Sequence, residues 1–486
     1  MQFTTGNRLQ PFYTLLLLSL TLNLHGQSFM DFVSNVQGQS DPAIQQMLVD
    51  QYMDTVSSVP VIEGTQTVIF LYQGSASTVD LAGDFNFWNP NWALSKVGET
   101  DLWYYPTSFE TNARMDYKIV RNGNEWILDP LNPLTIPGGF GANSELRMPD
   151  YEFPEEILYR EDIEHGELLL SSITSSELDA THQLQIYLPP SYEVVTNRSY
   201  PVVYFHDGTD YVNFASAVNV IDNSIADGLL SEVIAVFVRP NDRNEEYAFS
   251  KRDAYRLFFV DELVPYIDAT YRTVPEATHR ALIGDSFGGN ISAYIAYEYP
   301  EVFGNCGLQS GAFWPNDYEV SDLLVNGPTK EIRIASFWGT YEGDLNSNMN
   351  FVANELLFKG YDITAGSFPE GHSWGLWRAT LDDILIYFFP PGLTNVEVLP
   401  MELPKGSRIY PNPSTGWSTL QIYETKPALK YTIELIGIDG KVHWQTTLPS
   451  GQQEIQWPNR IPSGQYVVQI KQGTLIIDQH PLHIHR

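Results

Sequence analysis

The chain has 486 residues, enough for two to four domains, and 43% hydrophobic with 13% aromatic residues to fill their cores. Acidic side chains number 59 against 27 basic ones, a formal net charge of −32. That balance excludes nucleic acid or an anionic membrane surface as the partner, and the apolar content excludes disorder throughout.

The chain opens on MQFTTGNRLQ and then FYTLLLLSLTLNL, the charge and apolar length of a secretory signal peptide. Cleavage is expected near Gly26–Gln27, which makes 1–26 the signal and the product exported. No later stretch is long and apolar enough for a transmembrane segment. Residues 27–58 are a polar lead-in with little structure beyond a helix over DPAIQQMLVDQYMDTV. In 59–150, runs such as TVIFLYQG, STVDLAGDF and MDYKIVRNG are rich in Val, Ile and Tyr, with Gly, Asn and Asp between them. That spacing predicts an antiparallel, immunoglobulin-like β-sandwich.

From 151 to 391 the pattern changes. Apolar runs (QLQIYLP, PVVYFHDG, VIAVFVRP, RALIGDS, IRIASFWGT) alternate with stretches whose apolar residues recur at three-and-four spacing. The expected fold is α/β, a doubly wound, mostly parallel sheet covered on both faces. A Pro-rich linker at 392–407 leads to a second, smaller β-sandwich at 408–486. The single cysteine, Cys306, can form no internal disulfide and reads as a small buried core residue. Histidines in the tail HPLHIHR lack a carboxylate or cysteine to complete a coordination shell, so no metal site is expected.

ALIGDSFGGN places Ser286 in G-x-S-x-G, between a strand and the helical run NISAYIAYEY. Glycines at such a turn let a serine hydroxyl stand clear of the sheet edge, and the helix N-terminus aims free amides at the same spot. The Phe287 N–H is the first oxyanion-hole candidate. Gly208 and Thr209, on the loop after PVVYFHD, are candidates for the second. Serine needs a base at neutral pH. FPEGHSWGLWR offers His372 late in the chain, and the preceding SFWGTYEGDL offers Glu342 and Asp344, in the order Ser, acid, His. Tyr211, Trp314 and Trp374 are candidates for the substrate pocket.

These segments resemble the putative-esterase family of α/β-hydrolases over roughly 151–389. The resemblance lies in DELVPYIDATYRTVPEATHRALIGDSFGGNISAYIAYEYPEVFG, GTYEGDL and PEGHSWGLWR. The family includes enterochelin, feruloyl and acetyl-xylan esterases. Carried over, it implies Ser286 as nucleophile, His372 as base and no cofactor. The family's acid falls at Glu342, where Asp is usual, and Asp344 stays the alternative. The first sandwich, through GDFNFWNP and GNEWILDPLNP, is similar to early-set domains of the glycogen- and starch-binding kind. Of its tryptophans, Trp88 and Trp92 are the candidate sugar contacts, although packing that shapes the active-site mouth is the preferred role. The last block resembles the type IX secretion sorting domain, through RIYPNPSTGWSTLQI, IGIDGKV and IPSGQYVVQIKQG. It implies the type IX machinery as partner and export through the periplasm of a Gram-negative bacterium. The resulting expectation is a secreted serine esterase acting on feruloyl or acetyl esters of plant polysaccharide. Its alternatives are a siderophore trilactone esterase and an acyltransferase using the same triad.

Overall fold

The computed structural model describes residues 28–392 apart from 140, and 407–484 apart from 411–416, 423–429, 438–440, 450, 459–460 and 473–474. The expected signal peptide and nearly all of the linker lie outside the described residues. Among the described residues, no helix is long and apolar enough to cross a membrane.

The continuous apolar runs of the middle region build an eight-stranded sheet. Its strands are β1 (Glu167–Ser175), β2 (Ala180–Leu188), β3 (Val202–Phe205), β4 (Ile234–Val238), β5 (Arg280–Asp285), β6 (Asn305–Gln309), β7 (Arg333–Gly339) and β8 (Asp362–Phe368). They lie in the order β1-β2-β4-β3-β5-β6-β7-β8. β1 pairs antiparallel with β2, and β2 with β4; every later pairing is parallel. Every residue of β3, β4, β5 and β6 is buried, as strands covered on both faces require. Alternation divides their side chains between two cores. Tyr204, Leu282 and Leu308 face one helical layer; Phe205 and Ile283 face the other.

The helices that matter for the site follow these strands: α1 (Gly208–Phe214) after β3, α2 (Phe287–Glu298) after β5, α3 (Asp344–Phe358) after β7 and α4 (Trp374–Ala379) after β8. Consequently the loops at the carboxyl ends of the parallel strands share one edge, where open α/β sheets place their ligands.

The first sandwich packs a four-stranded sheet on a six-stranded one, around Phe70, Leu81, Met115, Tyr117 and Ile119. The lead-in is more ordered than its polarity implied. Besides the expected helix, at Pro42–Met53, a second one spans Phe29–Gln37. Ser28 caps it, and Phe29, Phe32, Val33 and Val36 form an apolar stripe at helical spacing. That stripe joins Ile69, Leu71 and Tyr104 in a core on the sandwich's other face. The terminal block forms sheets of three and four strands around Tyr431, Ile433, Trp457 and Val468. It lies against β8, where the side-chain amides of Gln469 and Gln479 both donate to the Ala365 carbonyl, at 3.3 and 2.7 Å.

Candidate active site

Ser286 stands at the tip of β5 with φ 52° and ψ −118°, a backbone conformation that costs a non-glycine residue energy. Its surroundings hold it there. The Ser286 N–H donates to the Gln309 carbonyl (2.9 Å), and its own carbonyl accepts from the N–H groups of Ala312 (2.9 Å) and Asn290 (3.1 Å). The flanking glycines are there for close approach. A Cβ at Gly284 would lie 2.2 Å from the Gly288 carbonyl carbon, and one at Gly289 would lie 2.9 Å from the Gly311 Cα. Ser286 is half-buried while its neighbours on both sides are buried, so the serine is the residue presented at the bend. The Phe287 N–H belongs to the first turn of α2 and has no intrahelical acceptor.

Gly208 opens α1 immediately after β3. A Cβ there would sit 2.3 Å from the backbone of Phe237 and Val238, so the loop can run this close to β4 only with glycine. Asp207 precedes it in the left-handed conformation (φ 55°), and its backbone N–H donates to Tyr247 Oη (2.8 Å). Arg243 ties this loop to the serine bend. It meets the Asp207 carboxylate at 2.7–2.9 Å, and the Asp285 carboxylate and carbonyl at 3.3 Å. Burial, reinforced by the charge of Asp207, holds the Asp285 carboxyl well above the usual carboxylate range. Burial, with Arg243 beside it, pushes His206 down to about 3, so that imidazole is neutral. Sequence reasoning missed Arg243. The acids before both candidate loops, Asp207 and Asp285, were the available sign that a cation must lie between them.

His372 lies on the loop between β8 and α4, with its side chain 38% exposed. Its Nδ1 is 3.4 Å from Glu342 Oε1, whose side chain is 1% exposed. Glu342 Oε1 also accepts from Ser310 Oγ (2.6 Å), and Ser310 Oγ accepts from Trp377 Nε1 (3.0 Å). The Trp377 ring packs edge-on against His372, 5.1 Å between centroids. Asp344, the other candidate acid, begins α3 and is exposed. The chain turns away at Gly343 (φ 59°), so Glu342 is the carboxylate facing His372.

Among the pocket candidates, Trp314 is 51% exposed and rests on Phe287, 4.9 Å between rings. Phe249 meets the same Phe287 ring at 6.1 Å. Tyr211 does not line a pocket. It is 0% exposed, because α1 turns it inward to donate from Oη to Gln309 Oε1 (2.7 Å). Trp374 is likewise buried, edge-on to both Tyr211 and Trp377. Gln309 links these parts. Its amide donates to the Trp377 carbonyl (2.6 Å) and to Thr380 Oγ1 (2.7 Å). In the sandwich, Trp92 is stacked on Phe85 (4.4 Å) and Tyr105 (4.9 Å), so its ring is taken up in packing rather than offered to a sugar. Trp88 is half-buried and donates from Nε1 to Asp84 (3.1 Å). Cys306 is buried in β6, where burial raises its thiol pKa, as befits a core residue.

A serine bend joining a buried parallel strand to a helix, with a carboxylate–histidine pair on later loops of the same edge, defines an α/β-hydrolase fold. Residues 175–388 match the putative esterase family and residues 408–480 the secretion system C-terminal sorting domain. The chain thus carries an esterase-family domain followed by a sorting domain. It is 27% identical over 226 residues to YjcH, an uncharacterized protein of Bacillus subtilis, covering 43% of this chain and 92% of that one. It is 30% identical over 277 residues to an endo-1,4-beta-xylanase/feruloyl esterase of Xylanibacter ruminicola, covering 51% of this chain but 36% of that enzyme. Among solved structures, the ferric enterobactin esterase of Salmonella typhimurium superposes with a TM-score of 0.61 at 20% identity, over 70% of this chain and 98% of that one.

Proposed function

We propose that the chain is a secreted serine carboxylic-ester hydrolase with Ser286 as nucleophile, His372 as general base and Glu342 as the third member. The observation that carries this is the positive-φ serine bend at the same sheet edge as the Glu342–His372 pair. In the first step Ser286 Oγ attacks the ester carbonyl carbon while His372 Nε2 takes the hydroxyl proton. Negative charge moves to the carbonyl oxygen, where the N–H groups of Phe287 and of Gly208 or Thr209 receive it. The intermediate collapses, the C–O bond to the alcohol breaks, and His372 returns the proton to the departing alcohol. Water, deprotonated by His372, then cleaves the acyl-enzyme and restores Ser286. Glu342 orients Nδ1 and stabilises the imidazolium during both halves.

The exposed rings of Trp314 and Phe249 both rest on Phe287, the residue after Ser286, and offer a surface for a planar acyl group. With the feruloyl esterase relative, this favours feruloyl esters of plant polysaccharide over acetyl esters as substrate. The sorting domain supports delivery through the type IX system to the outside or the cell surface. The test is hydrolysis of methyl ferulate, acetylated xylan and a catecholate trilactone by wild type and Ser286→Ala. Methyl ferulate as the best substrate, with loss of all turnover in the variant, is expected. Preference for the trilactone would make the protein a siderophore esterase, and full activity in Ser286→Ala would end the serine mechanism. Adding an acceptor alcohol separates hydrolysis from acyl transfer.

A further inference from the structure

We propose that Arg114, a residue of the first sandwich, is a positioning residue for His372, so that the sandwich completes the active site. This rests on the role proposed above for His372. Arg114 begins the strand Arg114–Arg121 and is fully buried. Its guanidinium meets Asp116 (2.5 Å) and Glu145 (2.6 Å) within its own domain. The remaining nitrogen, Nη1, crosses to the histidine loop, donating to Ser373 Oγ (3.1 Å) and lying 3.5 Å from Glu370 Oε2. The Arg114 backbone N–H donates to the Pro369 carbonyl (3.1 Å). One residue therefore grips the Pro369–Ser373 loop on both sides of His372.

A glycine in that loop and one in the first turn of α4 record the same contact. A Cβ at Gly371 would sit 2.1 Å from Asp84 Cγ, and one at Gly375 would sit 1.9 Å from Arg114 Cζ. The sandwich thus presses on backbone one residue before the histidine and three residues after it. A second contact reaches the acid loop, where a Cβ at Gly343 would lie 2.9 Å from the Phe87 ring. General adhesion between two domains does not require that the contacts bracket a catalytic side chain. A planar, five-donor fork with each edge committed to a different partner fixes the loop in rotation as well as in place, which a lysine cannot do. Proton transfer from serine to imidazole depends on that placement, and a displacement of about 1 Å costs ~10²-fold in rate.

The experiment is steady-state hydrolysis of nitrophenyl acetate by the full chain, comparing wild type, Arg114→Lys, Ser373→Ala and His372→Ala, each checked by thermal melting. Arg114→Lys keeps the buried charge and loses the fork, and about a 10- to 100-fold fall in kcat with KM within about twofold is expected. Ser373→Ala removes one acceptor and no charge, and should lower kcat less but in the same way. If Arg114→Lys does not fold, Ser373→Ala decides alone. Wild-type kcat in the folded variants beside an inactive His372→Ala would overturn the brace, as would a rise in KM at unchanged kcat. Full activity in His372→Ala would overturn the assignment of the base instead.

Discussion

Replacing Glu342 by Gln and Asp344 by Asn separates the two carboxylates that compete for the third place in the triad. In Glu342→Gln, the amide oxygen can keep the 2.6 Å bond from Ser310 Oγ, and the amide nitrogen occupies the position of Oε2, which has no hydrogen-bond partner. Shape and packing are retained, so the melting temperature should barely move. What disappears is the negative charge 3.4 Å from His372 Nδ1, in a setting where the carboxylate side chain is 1% exposed. Neutralising the acid of a serine triad costs about 10⁴-fold in kcat. With Glu in place of Asp and a longer contact, about 10³-fold is the expected loss, or ~4 kcal/mol of barrier. Asp344 is exposed at the first position of α3, where its charge only complements the helix dipole. Asp344→Asn should cost ~0.3–1 kcal/mol of stability and less than about threefold in kcat. Turnover of nitrophenyl butyrate measured beside thermal melts decides between them. Equal mild losses, or a larger loss in Asp344→Asn, would refute Glu342 as the acid.

Three further outcomes are expected. Ser286→Gly should abolish turnover yet raise the melting temperature by about 2–4 °C, since glycine adopts the positive φ without strain; an unchanged or lower melting temperature would contradict the strained bend. Burial raises the Glu370 carboxyl from 4.5 to about 7, so the folded protein binds more protons than the unfolded chain over that interval and stability falls as pH rises through it. Glu370→Gln should flatten that decline, worth on the order of 3 kcal/mol, between melts at pH 5 and pH 8; an unaltered slope would exclude this carboxyl as its source. Tyr211→Phe strands Gln309 Oε1 in the interior and should cost ~1–3 kcal/mol of stability while leaving KM for methyl ferulate unchanged; a raised KM at wild-type stability would return Tyr211 to the pocket.

What could be read from the sequence followed the range of the interactions. Strand, serine, helix and the glycines of GDSFGG form one continuous segment whose demands are local, and the sheet follows from apolar runs alternating with helical ones. His372 was singled out by the chain order of serine, acid and histidine that such a sheet uses, and the fold brings it within 3.4 Å of Glu342. Glu342 and Asp344 stayed open, since the choice depends on a single turn at Gly343. Tyr211 was misplaced because an aromatic near a Gly loop suits a pocket and a core equally, and only the rotation of α1 distinguishes them. Arg114 lies 259 residues from Ser373 in the chain, and no local pattern announces such a contact. Trp92 fits the packing role preferred for the sandwich tryptophans over sugar contact, since Phe85 and Tyr105 already occupy its ring.

The terminal sandwich lies along β8, the last strand of the eight-stranded sheet, and two glutamine amides satisfy a main-chain oxygen there. Were export to end with this domain cut away, the hydrolase would surrender that shield at the moment it reached the outside. A bare row of peptide groups invites another strand to add to it, so the freed enzyme would gain a tendency to pair through this margin that the precursor does not have.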